Sequence, residues 1–275
     1  MKKAVLATLI LFLLSGCSPQ GDQILLFSRE SASGTREQFV NALEITENGL
    51  DATDTDASVT NSSAVILSAV ASNKGAIGYV SLPTVTDKVK TVSIDGNSPD
   101  FENVKNGSYP LKRTFYLVYN TKKISDCARD FLSFVQSAEG NKIIKEMGYM
   151  PLSEKPYSTA KIKGKTVLAG SASVAPLMER LRARYAELQK DVQIEIQQND
   201  STTGISLVGQ GIVEVGMSSR DLKSDERSKD YEIIDLAQDI IAVIVHPENQ
   251  IYDLSRQELK EIYSGKIKSW SELNA

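Results

Sequence analysis

The sequence predicts an α/β fold with mostly parallel sheets. Short apolar runs typical of strands alternate along the chain with amphipathic segments typical of helices. Several of these runs lead directly into turns rich in serine, threonine and glycine, at points where a helix should begin. In folds of this class, ligands bind at the carboxyl ends of strands, where such loops meet helix N-termini.

The N-terminal residues are predicted to be a targeting segment. Residues 1–16 have the form of a signal peptide, because Lys2 and Lys3 precede an apolar stretch too short to span a bilayer. Residues 14–17 (Leu-Ser-Gly-Cys) resemble the lipobox of bacterial lipoproteins, in which the signal is cut before an acylated cysteine. The resemblance implies lipidation at Cys17, a tether over residues 17–22 and an extracytoplasmic, membrane-anchored protein. An ordinary secretory signal with an incidental cysteine is the alternative.

Strand-like and helical segments follow one another through the rest of the chain. Strands are predicted at residues 24–27, 76–80, 115–119, 167–169, 192–196, 213–215 and 240–245. A helix is expected over residues 176–189, where a proline stands at the start and apolar residues recur at helical spacing. Ser255 and Glu258 indicate a capping box, and Gly265 marks the expected end of that helix. The polar residues 153–165 lack periodicity and indicate a linker.

Charge, cysteine and histidine content limit the chemistry. The formal net charge is −4, and loss of Lys2 and Lys3 would make it more negative, which argues against nucleic acid as a partner. With Cys17 lipidated, Cys127 has no disulfide partner and is expected to be buried as a small apolar residue. Because His246 is the single histidine, neither a His-rich metal site nor a Ser-His-acid triad can form.

The loop over residues 29–36 has the composition of an anion-binding site. It follows the apolar run at 24–27 and precedes a segment suited to a helix. A helix N-terminus offers free N–H groups and the positive end of the helix dipole, and both attract anions. Ser33 and Thr35 add hydroxyl donors, and Gly34 allows close backbone approach. Arg29 can donate paired hydrogen bonds to a tetrahedral oxyanion. The alternative is a capped surface helix beside an arginine.

Three further loops have the same arrangement of a strand followed by hydroxyl-bearing residues. They cover residues 170–176, 199–205 and 216–221. Each alone is more typical of an ordinary cap or turn. Four such loops in one chain, one of them carrying Arg29, favour a convergent anion site in which hydroxyl and N–H donors satisfy the oxygens without a metal.

These blocks together resemble the phosphate-binding proteins that serve bacterial phosphate ABC transporters. Residues 29–35 (Arg-Glu-Ser-Ala-Ser-Gly-Thr) are similar to that family's Arg-Glu-Ser-Gly-Ser-Gly-Thr loop. Further similar blocks lie at residues 75–80, 109–113, 131–152, 170–176, 216–222, 241–245 and 265–270, so the resemblance covers essentially the whole mature chain. It implies a two-lobed type II periplasmic-binding-protein fold that captures inorganic phosphate for an ABC permease, with no enzymatic activity and no cofactor.

The order of the blocks departs from the family pattern. The family opens with the block matched by residues 170–176, and its Ser-Gly-Thr loop follows the block that contains Trp270, whereas here the second half comes first. This order indicates a circular permutation in which residues 153–165 join the family's usual ends. The alternatives are a truncated tandem protein and a chain that exchanges halves with a second copy. Permutation predicts a monomer.

Transferred onto this order, the resemblance implies two lobes. Lobe A takes residues 22–109 plus 235–275, and lobe B is continuous over residues 111–234. Each lobe is expected to hold a mostly parallel sheet flanked by helices. Two strands would cross between the lobes, near residues 109–113 and 235–241, and serve as a hinge. Phosphate would bind in the cleft and close the lobes around itself.

The resemblance also assigns ligands residue by residue. The matching positions are Arg29, Ser33, Gly34, Thr35, Ala172, Ser173, Ser201 and Ser219. Ala172 stands where the family commonly has threonine, so only its N–H is available. Ser219 stands where some members place an aspartate that accepts the proton of hydrogen phosphate. Asp200 or Asp221 could replace that acceptor; without one, the means of rejecting sulfate is weakened.

Three alternative functions stay open from the sequence. One is binding of another tetrahedral oxyanion such as sulfate, and a second is a surface sensor that does not transport. The third is a hydrolase that uses a serine such as Ser33 or Ser173, which an assay of phosphoester hydrolysis would reveal.

Overall fold

The computed structural model describes residues 22–158 and 161–274; the predicted signal peptide and Cys17 lie outside this part. Its strands are β1 (Leu25–Arg29), β2 (Thr46–Glu47), β3 (Leu50–Asp51), β4 (Ser58–Thr60), β5 (Ala76–Ser81), β6 (Lys90–Ile94), β7 (Lys112–Asn120), β8 (Met150–Pro151), β9 (Gly164–Ser171), β10 (Val192–Asn199), β11 (Val215–Ser218), β12 (Tyr231–Val245) and β13 (Asp253–Leu254). Its α-helices are α1 (Gly34–Ala42), α2 (Ser63–Ser72), α3 (Phe101–Lys105), α4 (Asp126–Val135), α5 (Ala138–Glu146), α6 (Ala175–Leu188), α7 (Ser201–Gln210) and α8 (Arg256–Tyr263). Short 3₁₀ helices cover Leu82–Thr84, Ser224–Glu226 and Trp270–Asn274.

An eleven-stranded mixed sheet runs through both lobes in the order β10-β9-β11-β7-β12-β5-β1-β4, with β6, β8 and β13 paired off this path. At one end β10, β9 and β11 are parallel, and at the other β5, β1 and β4 are parallel. In the middle, β7 and β12 run antiparallel to each other and to their outer neighbours. The predicted α/β class is confirmed, with parallel strands in each lobe joined through an antiparallel centre.

Two large groups of buried apolar side chains lie on either side of the centre of β12. The lobe A group includes Phe39, whose ring stacks on Tyr79 with centroids 4.0 Å apart. The lobe B group surrounds the aromatic residues of α4 and α6. β12 contributes Ala237 to the lobe B group and Ile240 to the lobe A group, so it passes from one core to the other between these residues. The molecule therefore has the predicted two-lobed architecture.

Two segments connect the lobes side by side. β12 pairs with β7 as far as Ile240 and with β5 from Ile241 onward. The residues before β7 run beside this point, because the Ile241 N–H donates to the Leu111 carbonyl at 2.9 Å. The Tyr109 hydroxyl donates to the Ile241 carbonyl, also at 2.9 Å. Burial raises the pKa of Tyr109, so this hydroxyl stays a donor at physiological pH.

The described ends of the chain lie together in lobe A. The Trp270 N–H donates to the Asp22 carbonyl at 2.8 Å, and the Ser271 N–H donates to Asp22 Oδ1 at 2.9 Å. Gln23 and Ser269 form an isolated antiparallel bridge. Residues at the start of the chain therefore occupy positions next to residues at its end.

Several local predictions can be compared with the structure. The capping box of α8 is confirmed, since Ser255 Oγ accepts from the Glu258 N–H while the Glu258 carboxylate accepts from the Ser255 N–H. Cys127 is buried, as expected. The strand predicted at 213–215 instead covers Val215–Ser218, because those residues pair with both β9 and β7. Within residues 22–158 and 161–274, no helix is long and apolar enough to span a bilayer.

Candidate functional site

The candidate site lies where the parallel strands of lobe B end. β9, β10 and β11 finish at Ser171, Asn199 and Ser218, and because they are parallel neighbours their carboxyl ends share one edge of the sheet. The loops that follow bring three of the predicted residues, Ser173, Ser201 and Ser219, to this edge. The N-terminus of α1 in lobe A lies against them.

Four buried serines form a cluster at this edge: Ser171, Ser173, Ser201 and Ser219. The Ser171 hydroxyl donates to Ser219 Oγ at 3.0 Å. The Ser219 N–H donates to Ser201 Oγ at 3.1 Å, and the Ser173 N–H donates to Ser171 Oγ at 3.3 Å. Ser171 is the member that the sequence did not single out, because its hydroxyl looks no different from its neighbours' until the strand ends are placed together.

Helix α1 brings lobe A directly onto this serine cluster. Thr35 Oγ1 and Ser173 Oγ share a hydrogen bond at 3.0 Å across the cleft. A Cβ atom at position 34 would lie 2.7 Å from the hydroxyl oxygens of both Ser201 and Ser219, so glycine is needed for this approach. Ser33 occupies the N-cap position, but its hydroxyl does not cap the helix, which leaves the first turn of α1 without a side-chain cap.

Arg29 and Ala172 make no hydrogen bond to the serine cluster in the part of the chain that the structure describes. The Arg29 guanidinium is buried in lobe A, where Nε and Nη2 donate to the Glu30 carboxylate at 3.1 Å and to the Thr60 and Asn61 carbonyls. The Ala172 N–H donates to the Asn199 carbonyl at 3.0 Å. Both residues instead lie close to the outer part of the cleft.

A groove runs along the outside of the closed cleft. Residues of both lobes line it, among them Asn61, Ser63, Leu67, Ala172, Pro176 and Asn199. Arg29 Nη1 lies 3.5 Å from the Ser63 hydroxyl, which places this cation at the groove edge. Ala172 and Asn199 on its wall are close in sequence to Ser173 and Ser201, although the four buried serines do not line the groove themselves.

A second arginine, Arg113, lies inside the cleft and was not predicted as a site residue. Its Nη1 donates to Thr35 Oγ1, while Nε and Nη2 donate to Asp239 Oδ2 at 2.8 and 2.7 Å. Both side chains of this ion pair are fully buried. Burial raises the pKa of the Asp239 carboxyl, and the Arg113 guanidinium opposes that effect. Because an arginine keeps its proton, the two groups form an ion pair.

Neither of the two candidate replacement carboxylates is hydrogen-bonded to the serine cluster. Asp200 is the N-cap of α7, and its two carboxylate oxygens accept from the Thr203 N–H at 2.8 Å and the Thr203 hydroxyl at 2.7 Å. Asp221 accepts from the Tyr116 hydroxyl at 2.7 Å. Burial, together with that hydrogen bond, raises the pKa of Tyr116 to about 12. Among the described residues, no carboxylate is hydrogen-bonded to the four serine hydroxyls.

An ion-pair network links the lobes beside the cluster. Arg220, which follows Ser219, is fully buried and donates to the Glu226 carboxylate at 2.6 and 2.7 Å. Its Nε lies 3.1 Å from a carboxylate oxygen of Glu37 on α1, without the alignment of a hydrogen bond. Although burial alone would raise it, the pKa of Glu226 is lowered by the hydrogen bonds from Arg220. Glu37 is thus a lobe A residue paired with a lobe B cation.

In the part of the chain that the structure describes, the site is built from hydrogen-bond donors. His246 lies in the turn after β12, where its Nδ1 accepts from the Glu248 N–H at 3.1 Å. No cluster of three or more His, Cys, Asp or Glu side chains in residues 22–158 and 161–274 could hold a metal ion. The arrangement of hydroxyls, backbone N–H groups and a buried guanidinium suits an oxyanion.

Comparison with known proteins places the chain among binding proteins. The sequence profile of the PBP superfamily domain matches residues 17–139 and 155–275. The chain is 37% identical over 273 residues to the phosphate-binding protein PstS 2 of Streptococcus agalactiae, which is 95% of this chain and 93% of the relative. It is 35% identical to PstS 2 of Streptococcus pneumoniae, over 91% of this chain and 87% of the relative.

A solved structure has the same fold. The structure is similar, with a TM-score of 0.74 and 35% sequence identity, to the crystal structure of the phosphate-binding protein of a phosphate ABC transporter from Streptococcus pneumoniae TIGR4. The similarity covers 91% of this chain and 99% of that one. The part of this chain outside the match is smaller than either lobe, so both lobes are included at least in part.

Proposed function

The chain belongs to the PstS family of phosphate-binding proteins within the PBP superfamily, and from this premise we propose that it captures inorganic phosphate between its lobes and delivers it to the permease of an ABC importer. The names of the matched relatives describe binding and transport, over nearly the whole length of each chain. A binding role without catalysis is accordingly the role proposed for this protein.

The observation that carries the proposal is the contact between α1 and the serine cluster. Thr35 from lobe A and Ser173 from lobe B share a hydrogen bond, and Gly34 packs against the neighbouring hydroxyls. A tetrahedral oxyanion loses its hydration when it is buried, so it needs hydrogen-bond donors on all sides. Donors that come from both lobes can provide them only when the lobes are closed.

We propose different roles for the predicted ligand residues. The residues proposed to contact phosphate through hydroxyl or N–H groups are Ser33, Gly34, Thr35, Ser173, Ser201 and Ser219. Arg29 is proposed to act at the groove edge, where Glu30 already balances part of its charge. Ala172 is proposed to line the entry to the site, since its N–H is bonded to Asn199.

We propose lobe boundaries at residues 22–109 plus 235–275 for lobe A and residues 111–234 for lobe B. β12 passes from the lobe B core to the lobe A core between Ala237 and Ile240, a short distance beyond the boundary proposed at 235. The two adjacent crossing segments would then bend together as the lobes open and close. Within this division, the proposed phosphate contacts come from both lobes, so that closure and binding are coupled.

The block order is proposed to be a circular permutation that still gives a monomer. The hydrogen bonds that join Asp22 to residues near Trp270 support it, because a permuted chain must open at two adjacent positions. The alignment that spans 95% of this chain and 93% of the Streptococcus agalactiae relative is the extent expected if that relative has the same block order. Lipid anchoring through Cys17 is proposed on the Leu-Ser-Gly-Cys motif alone.

Calorimetric titration of the chain from residue 18 onward tests the proposed function. Phosphate is expected to bind one to one, and Ser201→Ala is expected to weaken binding by about tenfold, because one donor to a charged group is lost. Ser133→Ala is the matched control, since its hydroxyl donates to the Arg129 carbonyl on α4, away from the site. Folded wild-type protein that binds no phosphate would overturn the proposal.

The same titration with sulfate addresses the alternative ligands. Because the serine hydroxyls have no carboxylate partner among the described residues, we expect sulfate to compete measurably with phosphate. We also expect phosphate affinity to rise as the pH passes the second ionisation of phosphate, since a site rich in donors favours the more highly charged anion. Equal affinity for both anions would indicate a general oxyanion role, and unchanged phosphate uptake after gene deletion would indicate a sensor.

A further inference from the structure

We propose that Arg113, held in place by Asp239, is an additional phosphate-binding residue that supplies the buried positive charge of the site; this inference rests on the proposed phosphate function. Arg113 lies at the start of β7, directly opposite Asp239 in the antiparallel register with β12. Asp239 lies between Ala237 and Ile240, where β12 passes from the lobe B core to the lobe A core. The pair therefore sits at the point where the lobes join.

Arg113 has N–H donors that take part in none of its hydrogen bonds. A guanidinium carries five N–H donors, and three are used, two on Asp239 and one on Thr35 Oγ1. The remaining two have no acceptor among the described residues, although the side chain is fully buried. A buried donor without a partner is costly, and a charged one more so. An anion beside Thr35 would satisfy them.

The orientation of the pair suits an anion in the cleft. The edge of the guanidinium formed by Nε and Nη2 faces Asp239, whose other oxygen accepts from the Ser81 hydroxyl at 2.7 Å. Nη1 lies on the opposite side and contacts Thr35. The ion pair thus directs its positive end toward Thr35 and its negative end toward Ser81.

Arg113 also orders the hydroxyls that bridge the cleft. An arginine can only donate, so the Thr35 hydroxyl oxygen accepts from Nη1, and its own hydrogen is free to point at Ser173 Oγ. The Ser173 hydroxyl can then donate onward to an anion. Such chains of hydrogen bonds strengthen one another in a buried setting.

The other buried arginines near the cleft make no hydrogen bond to Thr35 or to the four serines among the described residues. Arg29 donates to both oxygens of Glu30, and Arg220 lies between Glu226 and Glu37. Arg113 pairs with one carboxylate, through one of its oxygens. Its charge is consequently the one best placed to act on a ligand next to Thr35 and Ser173.

The test replaces both members of the pair, because removal of one would leave an unpaired buried charge. The double variant Arg113→Gln/Asp239→Asn is close in shape and has no net change in charge, so it is expected to fold. We expect calorimetry to show phosphate binding weakened by about ten- to a hundredfold, as for loss of a charged hydrogen-bond donor. The matched control is Lys165→Gln/Glu195→Gln, which removes an exposed ion pair between β9 and β10 and should leave affinity unchanged.

A second variant keeps the inference testable if the double variant does not fold. Arg113→Lys retains a cation beside Asp239 but lacks the second arm that reaches Thr35, and we expect its phosphate affinity to fall by about tenfold. Wild-type affinity in the folded double variant, or in Arg113→Lys, would overturn the inference. Absence of phosphate binding by the wild-type protein would instead overturn the proposed function, so the two failures are distinguishable.

Discussion

Gly34 is the position where the chemistry of one residue controls contact between the lobes. In Gly34→Ala, the new methyl group would lie 2.7 Å from two hydroxyl oxygens and 3.0 Å from the backbone carbon of Ser219. Such overpacking costs about 1–3 kcal/mol. Because the contact forms between lobes, we expect each lobe to fold normally and phosphate affinity to fall by about ten- to a hundredfold, as measured by calorimetry.

Small-angle scattering shows whether the lower phosphate affinity of Gly34→Ala comes from a cleft that does not close. With phosphate present, we expect Gly34→Ala to keep the larger radius of gyration of an open cleft, whereas wild-type protein contracts. Gly209→Ala in α7 is the control, since its added methyl group would meet only the hydroxyl at the end of the Tyr231 side chain. Tight binding and normal contraction in Gly34→Ala would contradict the proposed approach of α1 to the serines.

At the residue scale, the sequence indicates hydroxyl-rich loops more readily than it indicates Arg113. Ser33, Gly34 and Thr35 adjoin one another in a recognisable pattern after a strand. Arg113 is 78 positions from Thr35 and 126 from Asp239, and no local pattern relates them. The strand register of β7 and β12 creates the environment of Arg113, so its position in the site becomes visible only with the fold.

Helix α1 of lobe A and the loop after β11 of lobe B contact each other, and this contact favours closure of the cleft. Glu37 in the first turn of α1 lies near Arg220 and, at 3.5 Å, near Lys223. In Glu37→Gln this interlobe attraction is lost, while Arg220 keeps its partner Glu226. Since Glu37 is partly exposed, we expect phosphate affinity to fall by only about two- to fivefold, through faster dissociation measured by stopped flow.

An exposed glutamate on a neighbouring element provides the control for Glu37. Glu47 on β2 forms no ion pair in the described part of the chain, so Glu47→Gln should leave the dissociation rate unchanged. The same rate in Glu37→Gln and wild type would show that the Arg220 contact does not hold the lobes together. Raised salt should also reduce the difference between Glu37→Gln and wild type, because it screens a partly exposed ion pair.

Elements were predictable where their own residues determine them. The apolar run of β5 and the periodic spacing of α6 give a strand and a helix close to the predicted bounds, whereas β9 covers Gly164–Ser171 around the predicted 167–169. β12 shows the limit, because the predicted strand covered 240–245 while the structure has Tyr231–Val245. The first half of β12 mixes polar and apolar residues and includes a bulge between Asp235 and Ala237. It becomes a strand because β7 pairs with it.

The whole molecule is acidic although its proposed ligand is an anion, so binding has to come from groups close to the ligand. A formal charge of −4 repels phosphate at a distance. Inside the cleft, hydroxyls, N–H groups and Arg113 act at hydrogen-bond range, where burial strengthens each interaction. Capture therefore depends on bringing donors from lobe A and lobe B together, which is the motion that a two-lobed fold with adjacent crossing segments allows.

The block order provides a prediction about the whole chain. Joining the end of the chain to Asp22 by a short linker and opening it within residues 153–165 would restore the family order of blocks. We expect this rearranged protein to be monomeric and to bind phosphate with unchanged affinity, because the joined ends already share hydrogen bonds and the opened segment is polar. Calorimetry and light scattering measure the two properties.

A second rearrangement shows whether the position of the opening matters. Opening the chain between Ile240 and Ile241 cuts β12 where it passes from β7 to β5, so we expect this form to lose cooperative unfolding and phosphate binding. If the family-order protein fails to fold while the natural order succeeds, the two orders are not equivalent and circular permutation is the wrong description. If light scattering shows that the natural chain is an interlocked dimer, circular permutation is also the wrong description. The two copies would then exchange halves, and each lobe would contain segments of both chains.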